Sequence, residues 1–497
     1  MSMPDQRDAR RIVALAPMPP EPAAYALARY SRSPDSIEES LRWVHAHSSE
    51  KFWEQFYFAY GHGSIADLGH VTICLENISE FAAIRLEDEP LWDGQAKSSR
   101  YQNFATAGSV VPEAIVGTEV EARYRGIQGS LFSVYALLQE PLKEFLQERY
   151  PRPEGMTASQ YERTIAARAY DVTRYLLTLG TKTNVGQVVS IRTLEKQITR
   201  FLSMQMPELQ AIGQELKEVC AKPPLQLWAE LQGVKGEPPT PLAPTLARHA
   251  GPSAYLSTVY RDLTREAKEQ LRRWGIDRPS AWMQQRDVDL IDAHPPLDEI
   301  AATLLYRVSH APYRTILDHV QAWPEQEKRR LVEEVLRTRG PHDELVPEFR
   351  SGYTFIFDVL MDIGGWRDLH RHRRCQQIQQ PFTTLHGFDV PPILQEVGLE
   401  PSYVQAMEAV KRDIEALRGE SQEAALYAIP FGFKVRCLFK MDFAEAEYIA
   451  RLRSGVKGHW SYRRIAWRMK EQIAARYPFL GDKIEATPPE VDESLVR

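Results

Sequence analysis

The chain has 497 residues, of which 43% are hydrophobic and 26% are charged. This balance is ordinary for a globular protein, and the length is enough for two or three domains. A net charge of -6 gives no overall attraction to nucleic acid or to anionic membranes. No apolar run approaches the length of a membrane span. We therefore expect neither nucleic acid nor a membrane as a partner, so an anionic ligand needs a local cluster of cations.

The four cysteines, Cys74, Cys220, Cys375 and Cys437, are far apart and form no Cys-x-x-Cys pair. This spacing argues against a zinc site or a disulfide framework and suits a reducing compartment. Residues Met1–Arg11 are polar and charged, unlike the apolar core of a signal peptide. We therefore expect a cytoplasmic protein without a bound metal.

The stretch Gly233–Pro252 is rich in proline and glycine, which predicts a linker between two comparable halves. The halves carry a weak internal repeat. Residues 24–36 resemble residues 301–313, and a charged helix is predicted after each, at Ile37–Ala46 and Thr315–Ala322. The long period indicates a duplicated domain and not a solenoid.

Each copy is predicted to combine helix and sheet, which places the chain in the α+β class. Strand-like apolar runs occur at corresponding places, Val71–Leu75 and Tyr353–Val359. Each half is predicted to close with long amphipathic helices, at Tyr161–Val219 and Glu423–Tyr477. The predicted division is a first domain at 1–235, a linker or insertion at 236–297 and a second domain at 298–497.

Arg371, His372 and Arg373 form a compact cationic cluster. The apolar run Tyr353–Ile363 leads into two glycines and then this cluster, and no acidic residue follows before Asp389. Arginine offers a planar fork of donors and histidine can donate from either ring nitrogen, so a phosphate or an electron-rich cofactor fits. A solvated basic helix end is the alternative interpretation.

Three motifs follow one another in the first half: Gly61-His62-Gly63-Ser64 with Asp67, then Leu75–Ser79, then Ser98–Tyr101. Together they resemble the first conserved block of the flavin-dependent thymidylate synthases. In that block Arg-His-Arg precedes the serine by seven residues, but this half has Asp88–Pro90 at that place. The second half keeps Arg371–Arg373 and instead has Pro381–Thr383 in place of Ser-x-Arg.

The segments Leu426–Pro430, Ala450–Arg453 and Gly458–Trp460 resemble the nucleotide-binding helix of the same family. Arg453 falls on the arginine that holds the pyrimidine, whereas Leu426 replaces an arginine at the helix start. In the first half Arg174 falls on the helix-start arginine and Arg192 on an arginine that binds the flavin phosphate. The two halves have therefore kept different parts of the motif set.

The resemblance implies one composite site, because the losses are complementary. Phe201 stands where the first half needs its pyrimidine arginine, and Ala444 where the second needs its flavin arginine. From the first half the resemblance implies Ser98, Arg100 and Arg174 for the nucleotide, with Ser64 and Arg192 for the flavin. From the second half it implies Arg371, His372 and Arg373 for the flavin, Arg453 for the nucleotide, and Arg453, Arg371 and His372 for the chemistry.

The family resemblance also implies a fold and a reaction. The fold is an antiparallel-rich sheet flanked by long helices, present here in two tandem copies. The reaction is transfer of a one-carbon unit from methylenetetrahydrofolate to dUMP, giving dTMP, with FAD as cofactor and NADPH as reductant. The family forms its sites between the subunits of a homotetramer, so a homodimer of this chain, a pseudo-tetramer, is expected.

Other interpretations remain open at this point. The site could perform flavin-dependent modification of another pyrimidine nucleotide, or the chain could be a non-catalytic flavin- or nucleotide-binding duplicate. Arg453 could pair with Glu445 or Glu447, and Arg174 with Asp171, as ordinary helix residues.

Two departures from the family pattern bear on these interpretations. Asp368 stands where the family often has glutamine or glutamate near the nucleotide, and Tyr448 replaces a small amide beside the flavin.

Overall fold

The computed structural model describes residues 13–15, 18–33, 36–59, 63–233, 240–254, 256–258, 272, 287–291, 295–307, 313–337, 345, 347–350, 352 and 355–491. These residues form an α+β protein with two antiparallel sheets, as predicted. None of the helices described in these ranges is long and apolar enough to cross a membrane.

The strands of the described residues form two sheets. The first sheet has the order β1-β3-β2 and comprises β1 (His70–Ser79), β2 (Asp93–Ala96) and β3 (Lys182–Ser190). The second has the order β4-β5-β7-β6 and comprises β4 (Val288–Ile291), β5 (Phe355–Asp362), β6 (Gln376–Gln379) and β7 (Lys434–Met441).

The α-helices of the first copy, in chain order, are α1 (Pro20–Tyr30), α2 (Ile37–Ala46), α3 (Ser49–Phe52), α4 (Glu80–Glu87), α5 (Glu119–Arg149), α6 (Ala158–Thr173), α7 (Ile191–Ser203), α8 (Pro207–Cys220), α9 (Leu227–Leu231) and α10 (Pro244–His249). Those of the second are α11 (Pro296–Arg307), α12 (Tyr313–Ala322), α13 (Glu325–Leu336), α14 (Ile363–His370), α15 (Pro392–Val397), α16 (Glu400–Arg418), α17 (Gln422–Tyr427), α18 (Phe443–Ser454), α19 (Trp460–Arg476) and α20 (Pro478–Gly481).

The predicted internal repeat is confirmed by the connectivity of the strands. The order β1-β3-β2 of the first sheet recurs as β5-β7-β6 in the second, to which β4 adds an edge strand. In the first copy, β1 leads directly into α4 and β3 into α7. In the second copy, β5 leads directly into α14 and β7 into α18. The chain is therefore a tandem duplicate.

The same cap closes all four of these strand-to-helix junctions. A side-chain oxygen at the last position before the helix accepts a hydrogen bond from the backbone N–H three residues later, at Ser79, Ser190, Asp362 and Asp442. Such a cap satisfies an otherwise unpaired N–H and contributes about 1 kcal/mol. Because α4 and α14 are both eight residues long, Asp88 and Arg371 take the same C-cap position.

Long helices are present in both predicted segments, Tyr161–Val219 and Glu423–Tyr477, but each segment also contains a strand that was not predicted, β3 in the first and β7 in the second. Both strands alternate buried side chains with more exposed ones, as a period of two requires. Longer helices adjoin both of these short strands, so the helical periodicity of the flanking sequence concealed the strands.

The chain divides into two compact units. Unit 1 comprises Met1–Cys74, Leu91–Gly94 and Gly186–Leu263, and unit 2 comprises Leu75–Pro90, Gln95–Val185 and Thr264–Arg497. Unit 2 therefore draws on both tandem copies. The boundaries 1–235, 236–297 and 298–497 stay a prediction about the copies themselves.

Part of the predicted linker is a helix of unit 1. Leu246 and Ala247 of α10 are buried, and Glu21 accepts hydrogen bonds from the N–H groups of Thr245 (2.8 Å) and Leu246 (3.1 Å). Proline at the start of a helix lacks only an N–H that would be unpaired there, so the proline content is compatible with this helix. At the other end of the predicted linker or insertion, β4 pairs with β5 in unit 2.

Inside unit 2 the two copies meet through reciprocal backbone hydrogen bonds. The N–H of Leu179 donates to the carbonyl of Ile429 at 3.0 Å, and the N–H of Phe431 donates to the carbonyl of Leu177 at 2.8 Å. Residues 177–179 of the first copy correspond to residues 429–431 of the second, so each bond is the image of the other. A local two-fold relation between the copies follows.

A second reciprocal pair extends this contact. The N–H of Gly180 donates to Tyr427 at 2.8 Å, and that of Gly432 donates to Tyr175 at 2.9 Å. Both glycines have tyrosines packed against them, since a Cβ on Gly180 would press on the Tyr124 hydroxyl and one on Gly432 would lie 2.5 Å from the Tyr403 hydroxyl. Both positions therefore require glycine.

We expect Gly180→Ala to lower the free energy of unfolding by about 1–3 kcal/mol, since its Cβ would lie 2.9 Å from the Tyr427 carbonyl oxygen. Gly129→Ala in α5 is the matched control, because a Cβ there meets nothing within 4 Å and should stabilise the helix by about 0.5–1 kcal/mol. Urea denaturation of both variants measures the difference. Equal stability of the two would contradict the close approach.

Candidate active site

The structure places the predicted site residues in two groups. Unit 1 contains Ser64 and Arg192. Unit 2 contains Ser98, Arg100, Arg174, Arg371, His372, Arg373 and Arg453.

Asp368, in α14, is a carboxylate on which the charges of four arginines of unit 2 act. Arg174 Nη1 donates to its Oδ2 at 3.2 Å. Burial alone would raise the pKa of Asp368, but the charges of Arg174, Arg100, Arg371 and Arg453 hold it at about 2. Arginines from both copies therefore act on one point, as the composite site requires.

Arg174 follows α6 directly and is almost completely buried, with 2% of its surface exposed. Its Nε and Nη2 atoms have no hydrogen-bond partner, and only Nη1 is used. Gly364 leaves room beside it, because a Cβ there would lie 3.5 Å from Nε. The alternative pairing with Asp171 is not formed. Unused donors on a buried guanidinium are costly, so this residue is suited to receive an anionic ligand.

Arg100 is held in place by several acceptors. Its Nε and Nη2 donate to the two oxygens of Asp171 at 2.8 and 3.2 Å, and Nη1 donates to the Tyr462 hydroxyl at 2.7 Å. Nη2 also lies 3.3 Å from the Lys457 carbonyl oxygen. The Ser98 hydroxyl accepts from the backbone N–H of Arg100 at 3.3 Å. The Ser98-x-Arg100 turn is therefore already organised without a ligand.

Arg453, in α18, is bonded to His372 and not to an acidic neighbour on its own helix. Its Nε donates to His372 Nε2 at 2.8 Å, and His372 Nδ1 lies 3.1 Å from Glu445 Oε1. Burial lowers the pKa of His372, which favours a neutral ring that donates to Glu445 and accepts from Arg453. Glu447 pairs with Arg451 instead, at 3.1 Å.

This chain of contacts changes the role expected of His372. The resemblance implies that His372 faces the flavin, but both ring nitrogens have protein partners here and the side chain is buried. No ring N–H is left for a ligand. His372 is therefore a positioning residue for Arg453 in this arrangement.

Arg371 and Arg373 are the exposed members of the Arg-His-Arg cluster. Arg371 is the C-cap of α14, where a cation also interacts favourably with the helix dipole. Burial raises the pKa values of Glu80 and Glu87, and the positive charge of Arg371 opposes this rise. Arg371 therefore acts electrostatically together with the other arginines near Asp368, and its side chain is exposed.

Glu80 is a member of the site that sequence reasoning missed. It is the first residue of α4 and fully buried, and its Oε2 accepts a hydrogen bond from Arg367 Nη2 at 2.6 Å. Its Oε1 has no partner. Burial raises the pKa of Glu80 to about 7, although Arg367, Arg371 and Arg174 oppose the rise. An acidic residue in a first helical turn is so ordinary in sequence that nothing marks it.

The two unit 1 candidates lie near each other. Arg192 Nη1 donates to Asp67 Oδ2 at 2.9 Å, and its backbone N–H donates to Ala66 at 3.3 Å. Ser64 precedes Ala66 by two residues and is exposed. The Ser64–Asp67 segment and the start of α7 are thus adjacent. Gly61 and His62 lie outside the described residues.

The positions that correspond to Arg453 and Arg100 in the opposite copy do not carry arginine. Phe201, at the place of Arg453, is completely buried in the core. Pro381 and Thr383 stand in place of Ser98 and Arg100. Elsewhere in the described ranges, no group of three or more His, Cys, Asp or Glu side chains is arranged to hold a metal ion.

The fold and the geometry define a tandem α+β protein in which arginines from both copies lie near one carboxylate, Asp368. A family model described as thymidylate synthase complementing protein matches residues 13–222 and 289–479. The chain belongs to this family.

Curated relatives of this chain carry the name UPF0159 protein. A UPF0159 protein of Chlamydia pneumoniae is 25% identical over 438 residues, which cover 86% of this chain and 78% of the relative. A UPF0159 protein of Chlamydia muridarum is also 25% identical, over 86% of this chain and 79% of the relative. A UPF0159 protein of Thermoplasma acidophilum is 23% identical over 92% of this chain and 94% of the relative.

We expect the pH dependence of stability to report the burial of Glu80. Its folded-state pKa is about 7 against an ordinary 4.5, so the protonated form contributes stability below pH 4.5 that is lost as the pH rises through 7. The loss is about 3 kcal/mol. Glu80→Gln should flatten the dependence of the unfolding free energy between pH 5 and pH 8, measured by urea denaturation.

Glu140→Gln is the control, because Glu140 pairs with Lys143 on the surface and its side chain is 73% exposed. This variant should keep the slope of the wild type. If Glu80→Gln also keeps that slope, Glu80 does not change protonation in this range.

Proposed function

We propose that the composite site in unit 2 transfers a one-carbon unit from methylenetetrahydrofolate to C5 of dUMP, giving dTMP, in an enzyme that uses FAD and NADPH. The observation that carries the proposal is the arrangement of arginines from both copies: Arg174 donates to Asp368 at 3.2 Å, and the guanidinium carbons of Arg100 and Arg453 both lie 5.6 Å from the centroid of the Tyr462 ring. Membership in the thymidylate synthase complementing protein family supports the same reaction class.

Arg174, Arg100 and Ser98 are the proposed phosphate ligands. Phosphate is bound well by arginine forks together with a hydroxyl or backbone donor. Arg174 offers Nε and Nη2, both buried and unpaired. Arg100 is fixed by Asp171 and Tyr462, so little side-chain freedom is lost when a ligand binds.

Arg453 is the proposed ligand of the uracil ring. Its Nε is used by His372, which leaves the N–H groups of the two terminal nitrogens for a ring carbonyl. A fixed cation beside the pyrimidine stabilises negative charge that develops on the ring and so favours reaction at C5. The Tyr462 ring lies 5.6 Å from the guanidinium carbons of both Arg453 and Arg100 and helps to set their places.

FAD would supply the redox chemistry of the reaction, and the protein's part is to bind and orient it. The exposed guanidinium groups of Arg371 and Arg373 suit an anionic cofactor. In unit 1, Arg192 and Ser64 are the proposed ligands of the flavin phosphates. Arg192 is partly exposed beside Asp67 and keeps donors for such a group.

The test is an absorption spectrum of the purified protein, recorded without and then with added FAD and dUMP, followed by an assay of dTMP formation. We expect a flavin band that changes when dUMP is added, and turnover when methylenetetrahydrofolate and NADPH are present. Absence of flavin binding after addition of FAD would contradict the proposal. Binding of both ligands without dTMP would favour another pyrimidine nucleotide or a non-catalytic protein.

Arg174→Lys tests the phosphate ligand directly. Lysine keeps the charge but loses the planar fork, so the affinity for dUMP should fall about tenfold to a hundredfold while the flavin band persists. Arg168→Lys is the matched control, on the helix α6 that precedes Arg174, since the Arg168 guanidinium lies over the Tyr150 ring, 5.2 Å from its centroid. Unchanged dUMP affinity in Arg174→Lys would remove this residue from the site.

We also propose that the chain forms a homodimer, which would assemble four copies of the fold as in the family tetramer. Static light scattering should then give twice the chain mass of 57.0 kDa. A monomer at micromolar concentration would exclude this assembly.

A further inference from the structure

We propose that Asp368 is an internal counter-ion that competes with the substrate phosphate for Arg174 and thereby determines which nucleotides the site accepts. The inference rests on the proposed function, because it concerns the same anion site. It goes beyond that function because it assigns to Asp368, which lowers the positive charge of the empty site, a role in the choice between nucleotides.

Arg174 has one ion-pair partner for its buried side-chain charge in the part of the chain that the structure describes. The single hydrogen bond of its guanidinium to the described residues goes to Asp368, and its Nε and Nη2 have no acceptor. Arg174 is 2% exposed, and the Asp368 side chain is 15% exposed. The carboxylate therefore supplies the counter-charge for a buried guanidinium, at the guanidinium that the phosphate also needs.

The other arginines do not depend on Asp368 in this way. Arg100 has Asp171 as a two-point partner, and Arg453 is bonded to the neutral ring of His372. Their charges still act on Asp368 and keep it ionised. A phosphate dianion that enters the cluster thus meets a carboxylate that is charged under all ordinary conditions, and like charges at short range repel.

The competition has a cost and a benefit for the protein. Removing one partner of a buried ion pair leaves the other charge uncompensated, which is strongly destabilising. In the empty site, Asp368 compensates the buried charge of Arg174 and avoids this destabilisation. In return, the net contribution of a phosphate group to binding is reduced, so recognition relies more on the base, through Arg453, than on the phosphate.

The experiment measures dissociation constants for dUMP and for deoxyuridine by isothermal titration calorimetry, with wild-type protein and with Asp368→Asn. In the wild type we expect the phosphate to improve affinity by less than about tenfold. In Asp368→Asn we expect dUMP to bind at least about tenfold more tightly than in the wild type, with deoxyuridine unchanged within about twofold.

A second readout follows the empty protein. Asp368→Asn should lower the melting temperature without ligand, and inorganic phosphate should raise it more in this variant than in the wild type. Asp358→Asn is the matched control, because Asp358 pairs with Arg436 at 2.8 Å and none of the four cluster arginines affects its pKa. This control should leave the affinity for dUMP unchanged.

The outcomes separate the inference from the proposed function. If the wild type binds dUMP more than about a hundredfold more tightly than deoxyuridine, Asp368 does not compete and the inference fails while the proposed function stands. Weaker dUMP binding by Asp368→Asn also overturns it, since Asp368 would then contact the substrate directly. If neither protein binds dUMP or inorganic phosphate, the anion site itself is wrong and both proposals fail.

Asp368→Glu and Asp368→Gln cover a failure of the asparagine variant to fold. The glutamate keeps the charge and should keep weak phosphate discrimination, whereas the glutamine removes the charge and should behave like the asparagine. Equal affinities of the glutamate and glutamine variants for dUMP would overturn the inference. The comparison of dUMP with deoxyuridine in the wild type needs no variant at all.

Discussion

The reciprocal backbone hydrogen bonds between residues 175–180 and 427–432 are the constraint on which the site in unit 2 depends. They join the two tandem copies without any side chain, so they persist while the sequences of the copies diverge. Glycine at positions 180 and 432 lets the backbones approach, and the tyrosines packed there leave no space for a larger residue. The local two-fold relation is thus kept by backbone geometry.

This contact also places Arg174 beside Asp368. Arg174 directly precedes Tyr175, whose carbonyl is bonded across the copies, and the N–H of Gly364 at the start of α14 donates to Phe431 at 3.0 Å. The first copy's arginine and the second copy's helix are therefore fixed to the same strip of backbone. Asp368 lies about one turn along α14, within reach of Arg174.

The unequal survival of the motifs has a physical basis in this geometry. A two-fold relation gives two equivalent locations for a site. At one of them Phe201 stands in place of the arginine and is completely buried in the core. The other place gathers arginines from both copies, at the cost of a buried guanidinium with unused donors. One carboxylate, Asp368, compensates that charge in the absence of ligand.

The sequence by itself determined the duplication, the α+β class and the complementary loss of motifs, because these depend on local patterns and on residue identity. The C-cap equivalence of Asp88 and Arg371 follows the spacing read from the sequence. Only the tertiary structure decided that β3 and β7 interrupt the predicted helices, that His372 supports Arg453, and that Glu80 is buried. The two strands are short and lie beside longer helices, and the other two features depend on contacts between residues far apart in the chain, such as Arg453 with His372 and Arg367 with Glu80.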